Sequence, residues 1–142
     1  MAVTIPNTHV DLFQEPVHGV LTTIMPDGTP QSSIVWVDYD GAYVLINTTL
    51  ERQKGRNMQA NPKVTILVID PKDSSRWIEV RGYVIEMTQS CAESHADTLT
   101  QRYCRDKKHF YRDIYPVEQR EKETRVIVRI APIKVSLDAI FR

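Results

Sequence analysis

Apolar and β-branched positions fall in short runs divided by turn residues, a pattern that predicts strands more than helices. "VHGVLTTIM" (17–25) reads as a first strand, closed by the turn "PDG" at 26–28. "PQSSIVWVDYD" (30–40) and "AYVLINT" (42–48) follow, with Asp40-Gly41 between them as a hairpin signal of the primed-turn kind. Strands joined by such short links must pair antiparallel, so these three are expected to form a meander. "KVTILVID" (63–70) is nearly continuous in apolar residues and predicts a strand buried on both faces. "RWIEVRGYVIEM" (76–87) alternates as a long strand, and "TRVIVRIAPIKVSLDAIF" (124–141) gives one or two more around Pro132.

Helical signals are fewer. "HVDLFQ" (9–14) can be capped by Asn7 or Thr8 and ends at Pro16. Thr48-Thr49-Leu50-Glu51 has the form of a capping box and predicts a helix over 49–60, stopped by Asn61-Pro62. A third helix is expected over 90–106, with Ser90 as cap and Glu93 three residues later. "KKHFYRDIYP" is aromatic and basic without a clear period. The expectation is a mainly β chain of about six to seven mostly antiparallel strands with two or three short helices. Turn spacing points to a barrel or sandwich, in which closing the sheet hides its edges. One domain spanning residues 1–142 is expected.

Charge narrows the function classes. Eighteen Lys and Arg balance eighteen Asp and Glu, so no global field draws the chain to nucleic acid or to an anionic membrane. Recognition of an anion must be local. The N-terminal "MAVTIPNTHVDLF" lacks the basic start and apolar stretch of a signal peptide, and no window resembles a spanning helix. A cytoplasmic protein is expected. Cys91 and Cys104 lie too far apart along one helix to bridge. His9, His18, His95 and His109 lack metal-site spacing, and no nucleophile elbow, dinucleotide fingerprint or Walker loop occurs. With no evident acid, base or nucleophile, the chain fits either a cofactor-carried reaction or a binding module.

One cluster stands out. "LERQKGRN" (50–57) gathers Arg52, Lys54, Arg56 and Asn57 where a helix is expected to start. Free N–H groups, the helix dipole, the Thr48 and Thr49 hydroxyls and these cations together make a phosphate site without a glycine loop. The alternative is an ordinary solvated face with Glu51 paired to a neighbouring cation. Cations in a first turn oppose the dipole, and Gly55 costs about 1 kcal/mol relative to alanine, which hints at a close approach.

"VLTTIMPDGTPQSSIVWVDYDGAYVLINTT" followed by "RQKGRNMQANPKVTILV" resembles the flavin/deazaflavin oxidoreductase family related to pyridoxamine 5'-phosphate oxidase, in its coenzyme F420 branch. The resemblance covers roughly residues 15–88 well and the C-terminal strands more loosely. It implies a split β-barrel homodimer with cofactor sites at the subunit interface. Arg52, Lys54, Arg56 and Asn57, with Gln53 among them, would hold the cofactor phosphate and nearby tail. Gln31, Ser32, Ser33, Ile34, Val35 and Trp36 would lie along the ring, largely through backbone groups. Asn47, Thr48 and Thr49 would sit near the ribityl chain, and Trp77 and Ile78 could reach the partner's pocket. Helix 90–106 and "HFYRDIY" either line a substrate mouth or cap one barrel end. The implied activity is hydride transfer from reduced F420 to an organic acceptor, with no catalytic side chain assigned. FMN as cofactor, or a non-enzymatic flavin or tetrapyrrole carrier, are the alternatives.

Overall fold

The structure of the protein, a computed structural model, describes residues 3–139. Its strands are β1 (His18–Ile24), β2 (Pro30–Trp36), β3 (Asp38–Tyr39), β4 (Val44–Thr49), β5 (Lys63–Ile69), β6 (Trp77–Thr88) and β7 (Arg125–Leu137). Three α-helices intervene: α1 (Asp11–Gln14), α2 (Gln53–Ala60) and α3 (Ala92–Tyr103). An irregular turn at Phe110–Ile114 and a 3₁₀ stretch at Val117–Lys122 lead into β7. All pairings are antiparallel, in the order β2-β1-β5-β6-β7-β4-β3, and the sheet curls into a split β-barrel. The expected strand end at residues 140 and 141 lies outside the described residues.

Inward residues follow from the alternation of each strand. Leu21, Val44, Ile46, Ile66, Val68, Ile78, Val80, Val128 and Ile130 are fully buried, and Leu12 and Phe13 of α1 join the same cluster. Each such side chain contributes about 1.5–3 kcal/mol by leaving water.

Several sequence expectations change. The expected meander is interrupted: the start of the expected second strand, β2, pairs with β1, and its end, β3, pairs with β4, so the two halves lie at opposite edges of the sheet. The second strand breaks at Val37, whose N–H donates to the Tyr103 hydroxyl; that hydroxyl donates in turn to the Val17 carbonyl. This hydroxyl stands in for a neighbouring strand, and the chain turns from one sheet edge to the other. The β3–β4 link is a loop over 40–43, in which Asp40 Oδ1 accepts from the Ala42 and Tyr43 N–H groups, in place of a two-residue turn. β5 is buried on one face only, through Val64, Ile66 and Val68; Thr65 and Leu67 are half-buried. β7 runs through Pro132, which sits opposite Gly82 beside a register shift where a missing N–H is tolerated.

None of the three α-helices is capped by a side chain. Thr48 and Thr49 belong to β4, so α2 starts later than expected, with Arg52 as its N-cap. Glu51 instead accepts from the Thr124 N–H at 2.6 Å, tying the loop to β7. Cys91, at φ 62°, takes the cap position expected of Ser90. The cost of Gly55 has an internal cause: a Cβ there would lie 2.0 Å from the Thr49 carbonyl oxygen. The close approach is by the chain itself.

Candidate functional site

The two edge strands of the order, β2 and β3, leave the barrel open where β2 runs past β4 without pairing. In that split lies a groove of about 290 Å³. Ile34, Val35 and Trp36 of β2 form one wall and Asn47 and Thr48 of β4 the other. Arg52 and Lys54 close one end; Phe110, Ile114 and Tyr115 roof it. Because β2 is an edge, its outer backbone N–H and C=O groups have no strand partner, which leaves them for whatever fills the split.

The cationic end is built without acids. Lys54 Nζ donates to Ser33 Oγ at 3.0 Å, and the Arg52 guanidinium lies 5.3 Å from the centre of the Tyr115 ring. Neither has a carboxylate within ion-pair distance among the described residues. Burial, with the charge of Arg52 added, pulls the Lys54 ammonium below its usual pKa. A half-buried ammonium held beside a second cation is a site short of an anion. The Thr48 hydroxyl on the groove wall and the adjacent Thr49 hydroxyl are buried with no partner. The cation pair fits a phosphate.

Much of the remaining lining is aromatic. Trp36 stacks on Tyr103 with centroids 5.1 Å apart and meets Phe110 edge-on at 6.2 Å. His18, opposite Trp36 in the β1–β2 register, lies edge-on to Tyr103 at 5.4 Å. Flat, apolar walls with hydrogen-bonding backbone along one side suit a planar conjugated ring.

A polar network backs the wall. Arg125 of β7 donates from Nη1 to Asn47 Oδ1, from Nε to the Tyr111 hydroxyl and from Nη2 to Glu123, and its guanidinium sits 4.1 Å from the centre of the Phe110 ring. Burial pushes the Glu123 carboxyl up, but hydrogen bonds from Tyr111, Gln119 and Arg125 together hold it below the usual range. Burial, then the Glu123 contact, raises the Tyr111 phenol.

Of the residues singled out from sequence, Ile34, Val35, Trp36, Asn47, Thr48, Arg52 and Lys54 come together in the groove, with Ser33 bonded to Lys54. Others go elsewhere. Arg56 bonds to the Glu51 carbonyl and to Gln53 Oε1. Asn57 is buried, bonded to Thr23, Met25 and Gln53, and fastens α2 onto β1. Gln31 accepts from Thr23, and Ser32 pairs with Thr22 along the β1–β2 ladder. Thr49 lines a neighbouring cavity with Glu51 and Arg52. Trp77 lies outside the groove of its own chain, and Ile78 is fully buried in the core. Helix 90–106 and the segment after it contribute Ala96, Leu99, Phe110, Ile114 and Tyr115 to the lining, the first of the two roles offered for them; sequence reasoning missed His18 and Arg125, and for Arg125 the available signal was a cation leading an apolar strand. No helix among the described residues is long and apolar enough to cross a membrane.

Comparison with known proteins fits this geometry. Residues 5–137 match the pyridoxamine 5'-phosphate oxidase family, and the chain belongs to it. The pyridoxine/pyridoxamine 5'-phosphate oxidase of Rhodopseudomonas palustris strain BisA53 is 34% identical over 79 residues, 55% of this chain and 37% of that protein. The chain thus spans well under half of that relative's length. Among solved structures, an F420 reductase is 34% identical with a TM-score of 0.77, covering 93% of this chain and 98% of that one. A conserved hypothetical protein of Mycobacterium tuberculosis, 23% identical over 96% of this chain and 85% of its own, shares the fold at a TM-score of 0.70.

Proposed function

We propose that the protein is an oxidoreductase that binds coenzyme F420 in the split between β2 and β4, one site per chain of a homodimer, and uses its reduced form to reduce an organic acceptor. The observation that carries this reading is the pair Arg52 and Lys54, without a carboxylate partner, in a groove also lined by the aromatic rings of Trp36, Phe110 and Tyr115. Likeness to an F420 reductase along nearly the whole of both chains supports the deazaflavin.

The residues divide the work. Lys54 and Arg52 would grip the phosphate, where desolvation strengthens each charged hydrogen bond. The outer edge of β2 at Ile34–Trp36 would read the polar edge of the ring, and Trp36 and Phe110 would keep water from its face. When bound, the reduced deazaflavin supplies the hydride; the chain supplies orientation, which alone can account for several kcal/mol of barrier lowering. Exposed apolar side chains away from the groove, among them Tyr83 and Ile133 in a second groove of about 340 Å³, support a homodimer. Residues 1–142 then act as one domain, in the cytoplasm.

FMN is the second reading, because its phosphomonoester would use the same cations and the curated relatives are pyridoxine/pyridoxamine 5'-phosphate oxidases. Titrating apo-protein with each cofactor decides. Saturable F420 binding with FMN much weaker supports the proposal; tight FMN binding with no F420 affinity overturns it in favour of FMN.

A further inference from the structure

Behind the groove wall, Asn47 is held by partners that can each play only one part. Its Nδ2 faces the Ala92 carbonyl at 2.7 Å, which can only accept, and its Oδ1 faces Arg125 Nη1 at 2.7 Å, which can only donate. The amide orientation is therefore forced. The second Nδ2 hydrogen points at His95 Nδ1, 3.1 Å away, so that nitrogen must be bare and accept. The ring proton then belongs on Nε2, which lies 3.0 Å from Asp38 Oδ2. Asp38 is fixed by Arg102 Nη1 at 3.0 Å and by the Tyr39 N–H at 2.9 Å. One assignment satisfies every member; a proton on Nδ1 would set donor against donor.

We infer that His95, although it does not line the groove, is a positioning residue: as its Nε2–H tautomer it consumes the last N–H of Asn47, so that Asn47 offers the groove only a carbonyl lone pair. Asn47 then selects a ligand hydroxyl or N–H at that point, in contrast to the anion preference at Lys54; the Arg125 guanidinium beside it, which also lines the groove, is already paired with Glu123. Anion and donor groups are sorted to different parts of one groove, which fixes the direction in which an anion-tailed ligand lies. The tautomer assignment stands on this chain alone; the ligand selection rests on the cofactor reading above.

The experiment has two arms. Imidazole ¹⁵N spectra of ligand-free protein at neutral pH should show His95 as the Nε2–H tautomer; an Nδ1–H tautomer or an imidazolium overturns the proposal. In the second arm, F420 and FMN are the probes. His95→Leu should weaken the cofactor that binds by about fivefold to tenfold, the loss of one hydrogen bond, while His95→Gln, which keeps an acceptor beside a donor, restores most of it. Asn47→Leu combined with His95→Leu should bind no more weakly than Asn47→Leu alone, since the two act as a unit. Inorganic phosphate, gripped at Lys54 and Arg52, should bind both His95 variants like wild type. Unchanged cofactor affinity in His95→Leu, or an equal loss for inorganic phosphate, overturns the proposal. If wild type binds neither cofactor, the cofactor reading fails and the tautomer measurement still decides the role of His95; it also decides if His95→Leu does not fold.

Discussion

Replacing Lys54 by methionine removes the ammonium and keeps most of the stem. In the free protein that ammonium has one neutral partner, the Ser33 hydroxyl at 3.0 Å, and its charge is disfavoured by burial and by Arg52. Its removal should therefore leave the free protein as stable as wild type or slightly more so. Binding is another matter. A hydrogen bond to a charged group contributes about 1.5–3 kcal/mol, which corresponds to roughly tenfold to a hundredfold in affinity. The two effects are read separately, by thermal unfolding of the free protein and by fluorescence titration with F420 and with FMN. Wild-type affinity in Lys54→Met would refute the reasoning, and so would a lowered melting temperature that accounts for the lost binding. Adding salt should weaken wild-type binding more than that of the variant, because one fewer charge is screened.

Three other outcomes follow from the same geometry. Anion binding favours the charged form of Lys54, so binding takes up a proton; affinity should be full below the depressed Lys54 pKa and fall as pH rises through it, whereas Lys54→Met should lose that alkaline dependence in titrations across pH. Gly55→Ala gains about 1 kcal/mol of helix propensity but sets a Cβ against the Thr49 carbonyl, a backbone atom that cannot move aside. Urea denaturation should show a net loss of about 2 kcal/mol or more; a stabilised variant would contradict the packing. Glu123→Ala strands Arg125, whose side chain is 7% exposed, and should cost about 3–5 kcal/mol in the same assay, against a small loss for Glu123→Gln.

The strands were legible because an antiparallel sheet with one buried face writes itself as alternation, as in Val64, Ile66 and Val68. What could not be read was which edges meet. The break at Val37 depends on the Tyr103 hydroxyl, a partner 66 residues away, so local turn chemistry suggested an unbroken meander where the structure splits the second strand between two sheet edges. The capping boxes misled for a related reason. Thr48 and Thr49 look like helix caps locally, but β-branched residues also suit a strand, and pairing with β7 claims them. At the site, Lys54 and Arg52 were visible as cations in a first turn. Arg56 and Asn57 looked equivalent in the sequence, yet on the helix Arg56 folds back on its own turn and Asn57 faces β1. Arg125, His18 and His95 reach the groove or its backing by long-range pairing, which no local pattern shows.

The most direct test of the central reading is a difference spectrum: purified apo-protein titrated with F420, alongside Lys54→Met under the same conditions. A saturating change at one F420 per chain, moved to at least tenfold higher concentration in the variant, is the outcome expected from a charged hydrogen bond at the cofactor's phosphate. No spectral change with F420, or the same midpoint for both proteins, would contradict it.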